Sequence, residues 1–142
     1  MALSEITRNT PNANATLLTE TGVSVAVSGN TVVISILLNG LADRVAIGIT
    51  NAGPTNALDQ CVIEAQDGEG GTWFTYVSNA ELNTGTALAG RLDLVVTNPT
   101  TLAADGHSFI VLDVRGLYAV RLVASAATGA VTVSAKASVR YG

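Results

Sequence analysis

The chain has 142 residues, 11 of them acidic and 7 basic, with 48% hydrophobic and only 13% charged. That length fits one domain, and a net charge of −4 argues against a grip on nucleic acid, which needs clustered Lys and Arg. A single Cys excludes an intrachain disulfide framework and a Cys-based zinc site, and a single His removes most imidazole chemistry. Soluble domains average about a quarter charged residues, so this surface is built largely from Thr, Ser, Asn, Ala and Gly. Such a surface loses its water cheaply and suits a protein packed against other proteins. An ordinary small β domain with a Thr/Ser-rich exterior fits the same counts.

Residues 1–16 show neither a period of 2 nor a sustained period of 3.6. Pro11 and the Asn, Ala and Thr after it read as an extended N-terminal arm, in which Leu3, Ile6 and Arg8 are the candidate contact residues. Residues 17–142 read as a single β domain. Val23, Val25 and Val27 share one strand face. Ser28-Gly29-Asn30 turns the chain into a strand over 31–38, which the turn signal Asn39-Gly40 stops. Residues 44–50 place Val45, Ile47 and Ile49 on one face before Asn51-Ala52-Gly53-Pro54 ends the run. Strands over 58–66 and 72–77 flank the loop Asp67-Gly68-Glu69-Gly70-Gly71. Residues 79–90 are weaker and accommodate one helical turn around Ala80-Glu81-Leu82. Runs at 92–97, 108–114, 118–124 and 131–139 complete about nine strands, with turn signals roughly every 8–12 residues.

No amphipathic helix alternates with these strands. The expected fold is therefore all-β, an antiparallel β-sandwich of Ig-like or jelly-roll-like type. The longest apolar run, 32–38, contains Ser35 and falls far short of the roughly 20 residues of a membrane-spanning helix, so no membrane partner is expected. The start MALSEITRNT has no signal-peptide character, which predicts synthesis in a cytoplasm without export.

Candidate sites are few. His107 lies in Ala104-Asp105-Gly106-His107-Ser108, and a triad of Ser108, His107 and Asp113 fails because adjacent strand residues point to opposite faces. No G-x-S-x-G elbow is present. The two carboxylates of the 67–71 loop lack further oxygen ligands for Ca²⁺, and a strand follows where a phosphate cradle needs a helix. That loop reads as a tight turn. Asp59, Glu64, Asp93 and Asp113 are scattered charges rather than a glycosidase pair, and Cys61 reads as a buried small hydrophobe. No catalytic residue, metal site or cofactor is expected. Trp73, Phe74 and Tyr76 concentrate aromatic content in one strand, with Trp73 on the face opposite the other two. Trp73 and Tyr76 are candidate partner-contact residues, alternatives being core packing and a stacking platform for a ligand. Arg115, Arg121 and Arg140 are candidate interface forks, with Arg115 and Arg121 the stronger choices.

Residues 102–122, LAADGHSFIVLDVRGLYAVRL, followed by ASAATGAVTV at 124–133, resemble small virion proteins of tailed bacteriophages. Upstream, Thr50-Asn51-Ala52-Gly53, Leu58 and Gly71-Thr72-Trp73 are similar to Ig-like sandwich domains. The resemblance spans about two-thirds of the chain, from Val45 to Val139. It implies a non-enzymatic capsid decoration, or cement, protein that stabilises a head shell by protein–protein contacts. The implied partners are a major capsid protein or other virion subunits and further copies of the chain, as a trimer or dimer. The implied location is the capsid surface after synthesis in the host cytoplasm. The alternatives are a carbohydrate- or receptor-binding β-sandwich module, using Trp73 or Tyr118, and a neck or tail component.

Overall fold

The computed structural model describes residues 15–53, 55–83, 94–97 and 102–141. Leu3, Ile6, Arg8 and Asp93 lie outside the described residues. Nine strands are described: β1 Ala15–Val25, β2 Thr31–Leu37, β3 Ala42–Asn51, β4 Leu58–Gln66, β5 Trp73–Val77, β6 Leu94–Thr97, β7 His107–Asp113, β8 Ala119–Ala126 and β9 Val131–Tyr141. One short helix, α1, spans Asn79–Asn83.

The strands form two antiparallel sheets, a five-stranded one in the order β1-β9-β3-β7-β6 and a four-stranded one in the order β2-β8-β4-β5. The pairs β1·β9, β2·β8 and β3·β7 are those of one long hairpin. The added pairs β3·β9 and β4·β8 roll that hairpin up into two sheets. This is jelly-roll order, with β6 added at one edge. An Ig-like order keeps the first two strands in one sheet, whereas β1 and β2 here lie in different sheets. Of the two sandwich types expected, the topology selects the jelly roll.

Alternation builds the core. Val45, Ile47 and Ile49 of β3, Ile110 and Leu112 of β7, and Val131, Val133, Ala135, Ala137 and Val139 of β9 all point inward from the larger sheet. They meet Ile34 and Ile36 of β2, Cys61, Ile63 and Ala65 of β4, and Val120 and Leu122 of β8. Cys61 is buried in that cluster, as its apolar surroundings suggest.

Turn chemistry positions the ends. Asn39 and Gly40 both take positive φ, 56° and 70°, and Leu41 N–H donates to the Leu38 carbonyl at 3.0 Å. That is the turn Asn-Gly favours, used here to carry the chain from one sheet to the other.

The helical turn expected near Glu81 forms as α1. Ser78 caps it: Glu81 N–H donates to Ser78 Oγ at 3.2 Å, and Ser78 N–H donates to Glu81 Oε1 at 2.9 Å. This reciprocal box satisfies two backbone donors at once, and Leu82 anchors the turn in the core.

β1 departs most from its expected extent. It starts at Ala15, well before Val23. A bulge lies between Glu20 and Val23, where the register jumps from Ala135 to Val133. The extra residue breaks the period of 2, so alternation was visible only on the C-terminal side of the bulge.

Candidate functional site

The outer face of the four-stranded sheet carries two of the expected contact residues. Register sets Leu37, Ala119, Gln66 and Trp73 in one cross-strand row and Ser35, Arg121, Glu64 and Thr75 in the next. Val32, Val123 and Val62 make a third row. Arg121 Nε donates to Glu64 Oε1 at 2.7 Å, and its guanidinium lies 4.1 Å from the centre of the Trp73 ring. The two central charges of this face therefore neutralise each other, and what surrounds them is mainly apolar. Val32 and Leu37 are exposed there, Leu37 at 55%.

Tyr76 and Arg115 lie elsewhere. The Tyr76 hydroxyl donates to the Asp113 carbonyl oxygen at 2.7 Å, tying edge strand β5 to the end of β7 in the other sheet. Arg115 occupies the β7–β8 turn, where its Nε donates to both Asp113 carboxylate oxygens, at 3.0 and 2.9 Å, with Asp43 3.5 Å away. The side-chain hydrogen bond from Arg115, reinforced by its backbone N–H, holds the Asp113 carboxyl below its ordinary value. The same contacts raise the Arg115 guanidinium. The structure thus brings Trp73 and Arg121 together and separates both from Arg115 and Tyr76. Arg140 lies on the outer face of the larger sheet, opposite Arg44.

The triad is absent for the reason given by alternation. His107 is exposed, with Nδ1 3.3 Å from Thr50 Oγ1, while Ser108 is buried and its Oγ donates to the Thr97 carbonyl at 3.4 Å. The glycine-rich loop is a turn, with Gly71 N–H donating to the Gly68 carbonyl at 2.9 Å. Among the described residues, no three His, Cys, Asp or Glu side chains cluster as a metal site, and no helix is long and apolar enough to cross a membrane.

Two features went unseen in the sequence. Asn51, read only as part of a strand stop, is fully buried. Its Nδ2 donates to the carbonyls of Asn56, Leu102 and Ala103, and its Oδ1 accepts from Gly53 N–H at 2.9 Å. It thereby clamps the loop that follows β3 to the loop that precedes β7. The second feature is a cleft on the outer face of the five-stranded sheet, lined by Gly48, Thr50, Thr97, His107, Phe109 and Lys136. The available signals were a lone glycine inside an alternating strand and an aromatic out of phase with Ile110 and Leu112.

No protein-family model matches the chain, and no curated protein matches it in sequence. Among solved structures, the SPBc2 prophage-derived protein YomS is similar at 17% identity, over 87% of this chain and 94% of that one, with a TM-score of 0.46. A structure of the Gx strain of infectious bursal disease virus is similar at 11% identity over 90% of this chain, with a TM-score of 0.46; this chain matches 33% of that one. A Bacillus endospore appendage, described as forming disulfide-linked pili, is similar at 14% identity over 94% of this chain and 96% of that one, with a TM-score of 0.35.

Proposed function

We propose that this protein is a non-enzymatic structural subunit of a bacteriophage virion, of the capsid decoration type. In this reading it is made in the host cytoplasm and binds the outside of the shell through its four-stranded sheet. The observation that carries the reading is the outer face of that sheet. Val32, Leu37, Val62 and Trp73 surround a pair of charges that are already satisfied within the chain, while Val123 in the same rows is already buried. Burying such a face against protein gains apolar area and leaves no central charge to desolvate unpaired. The phage-like pattern of residues 102–133 supplies the virion context. The arm residues Leu3, Ile6 and Arg8 are assigned to contacts with neighbouring subunits, and a closed homo-oligomer follows the usual symmetry preference.

The glycan-binding alternative uses Trp73 or Tyr118 as the platform, with Trp73 the aromatic on this face. The Trp73 ring already has the Arg121 guanidinium against one face, which favours a protein contact at Trp73. Sedimentation of the purified full chain, alone and with capsid shells, tests the proposal. A trimer or dimer that binds shells saturably supports it, and Leu3→Asp with Ile6→Asp is expected to weaken that binding. A monomer that ignores the shells overturns it.

A further inference from the structure

The outer face of the five-stranded sheet holds a feature that a shell contact through the other sheet leaves unused. Register sets Lys136 of β9, Gly48 of β3 and Phe109 of β7 side by side in one row. Because Gly48 has no side chain, the row contains a gap between an ammonium and an aromatic ring on strands roughly 10 Å apart, two strand spacings. The fold does not impose that gap. A β-carbon on Gly48 would meet nothing nearer than a Phe109 ring carbon at 3.8 Å and the Lys136 carbonyl oxygen at 4.0 Å, both ordinary contacts. Glycine inside a strand weakens it and often marks a place where a ligand approaches the backbone closely.

The neighbouring row supplies polar groups. Ser134, Thr50 and His107 stand side by side, with Thr50 Oγ1 3.3 Å from His107 Nδ1. The row on the other side runs through Leu17, Ser138, Ala46 and Val111, and the small side chains of Ser138 and Ala46 leave the slot open at its middle. The resulting cleft has a volume of about 360 Å³, within the range of small-ligand pockets. Phe109 is 47% exposed in it. Among the described residues, no carboxylate lies within ion-pair reach of Lys136. Arg44 and Arg140 sit two rows away on the same face. Asp113 shares the Arg44 row and offsets that charge in part, so within the slot itself Lys136 is the charged side chain.

We propose that the slot binds a sugar acid, a six-membered ring bearing a carboxylate, as in uronic or sialic acid residues. The apolar C–H face of the ring packs against Phe109 over the open backbone of Gly48. Its hydroxyls meet Thr50, Ser134 and His107, and its carboxylate pairs with Lys136. A neutral sugar leaves the ammonium without a partner, and an acidic peptide side chain leaves the ring platform and the hydroxyl row unused. The sugar acid is the occupant that uses all three. This site is independent of the virion reading, so either can fail without the other.

The test is an amide NMR titration of the ¹⁵N-labelled full chain with sodium glucuronate, repeated with N-acetylneuraminate, glucose, sodium acetate and an acidic hexapeptide. The expected result is shifts confined to residues 48–50, 107–109 and 134–136, with glucose about tenfold weaker or worse because it lacks the charged hydrogen-bond partner. Gly48→Val occupies the slot, its β-carbon making only ordinary contacts, and is expected to keep the fold while abolishing the shifts. Lys136→Ala is expected to reduce either sugar acid to the level of glucose. The proposal is overturned by any of four results. These are no shifts at those amides with either acid at tens of millimolar, equal binding of glucose, acetate or the peptide reproducing the effect, or unchanged binding in Gly48→Val.

Discussion

Arg121 bridges Trp73 and Glu64: its guanidinium stacks 4.1 Å from the indole centre while its Nε hydrogen-bonds the carboxylate at 2.7 Å. Both members of the ion pair are about a quarter exposed, 27% and 26%, so water screens it only in part. Arg121→Ala is expected to destabilise the fold by about 1 kcal/mol, the sum of a partly desolvated cation–π contact and a cross-strand pair. Denaturant unfolding checks this. Trp73 is the sole tryptophan, so its emission reports the loss of the stacked guanidinium directly. Arg121→Lys keeps the charge, loses the planar stack, and is expected to fall between the two.

Asn51 gives the largest polar effect. Removing its amide takes one donor from the carbonyls of Asn56, Leu102 and Ala103 and the acceptor from Gly53 N–H around a buried position, although Leu102 and Ala103 keep the N–H groups of Leu58 and Gly106. Asn51→Ala is expected to cost on the order of 3 kcal/mol, read as a lower unfolding midpoint with an unchanged denaturant slope. Asn51→Asp places a carboxylate against carbonyl oxygens, which raises its pKa in the fold. Its stability is therefore expected to be lowest at neutral pH and to recover as the pH falls and the group protonates.

The cap of α1 separates hydrogen bonding from burial. Ser78→Ala removes the acceptor for Glu81 N–H and is expected to cost about 1 kcal/mol. Leu82→Ala empties a fully buried position and is expected to cost about 2–5 kcal/mol. Thermal unfolding of the two variants, measured side by side, checks the ranking.

Asp113 titrates below the ordinary carboxylate value of 3.8, because Arg115 hydrogen-bonds its ionised form through both side chain and backbone. A carboxyl lowered in the fold stabilises it above the unfolded pKa, and that stabilisation is lost as pH falls through the folded value. The Asp113–Arg115 contact is thus constant from pH 5 upward and disappears only in acid. Carbon-detected NMR titration of the carboxyl is expected to give a midpoint below 3.8 in the wild type, and Arg115→Ala is expected to move it back up.

Local chemistry was legible in the sequence wherever one short window contains the whole cause. β4 falls at Leu58–Gln66 as alternation and the flanking glycines require, and the Asn39-Gly40 turn and the helical turn at Glu81 follow from their own residues. The resemblance to Ig-like domains did not survive strand order, because turns such as Asn51-Ala52-Gly53 occur in any sandwich. Which strands pair is decided by core packing across the whole chain. The same limit hid both unforeseen features. Gly48 acquires Phe109 and Lys136 as neighbours only through pairing with β7 and β9, and Asn51 meets Leu102 and Ala103 only once the hairpin is rolled up. Trp73 was correctly set apart from Phe74 and Tyr76, but the guanidinium that covers it comes from β8, out of reach of any local reading.

In the proposed docking, the outer face of the four-stranded sheet meets a shell, and Leu37 is the most exposed large apolar side chain in its described rows, at 55%. Co-sedimentation of the protein with phage capsid shells, comparing wild type with Leu37→Asp, tests that docking most directly. Wild type is expected to bind saturably, and the variant to lose at least about tenfold in affinity, equivalent to about 1.4 kcal/mol or more, with an unchanged unfolding temperature. Wild-type protein that stays in the supernatant, or a Leu37→Asp variant that binds as well as wild type, contradicts it.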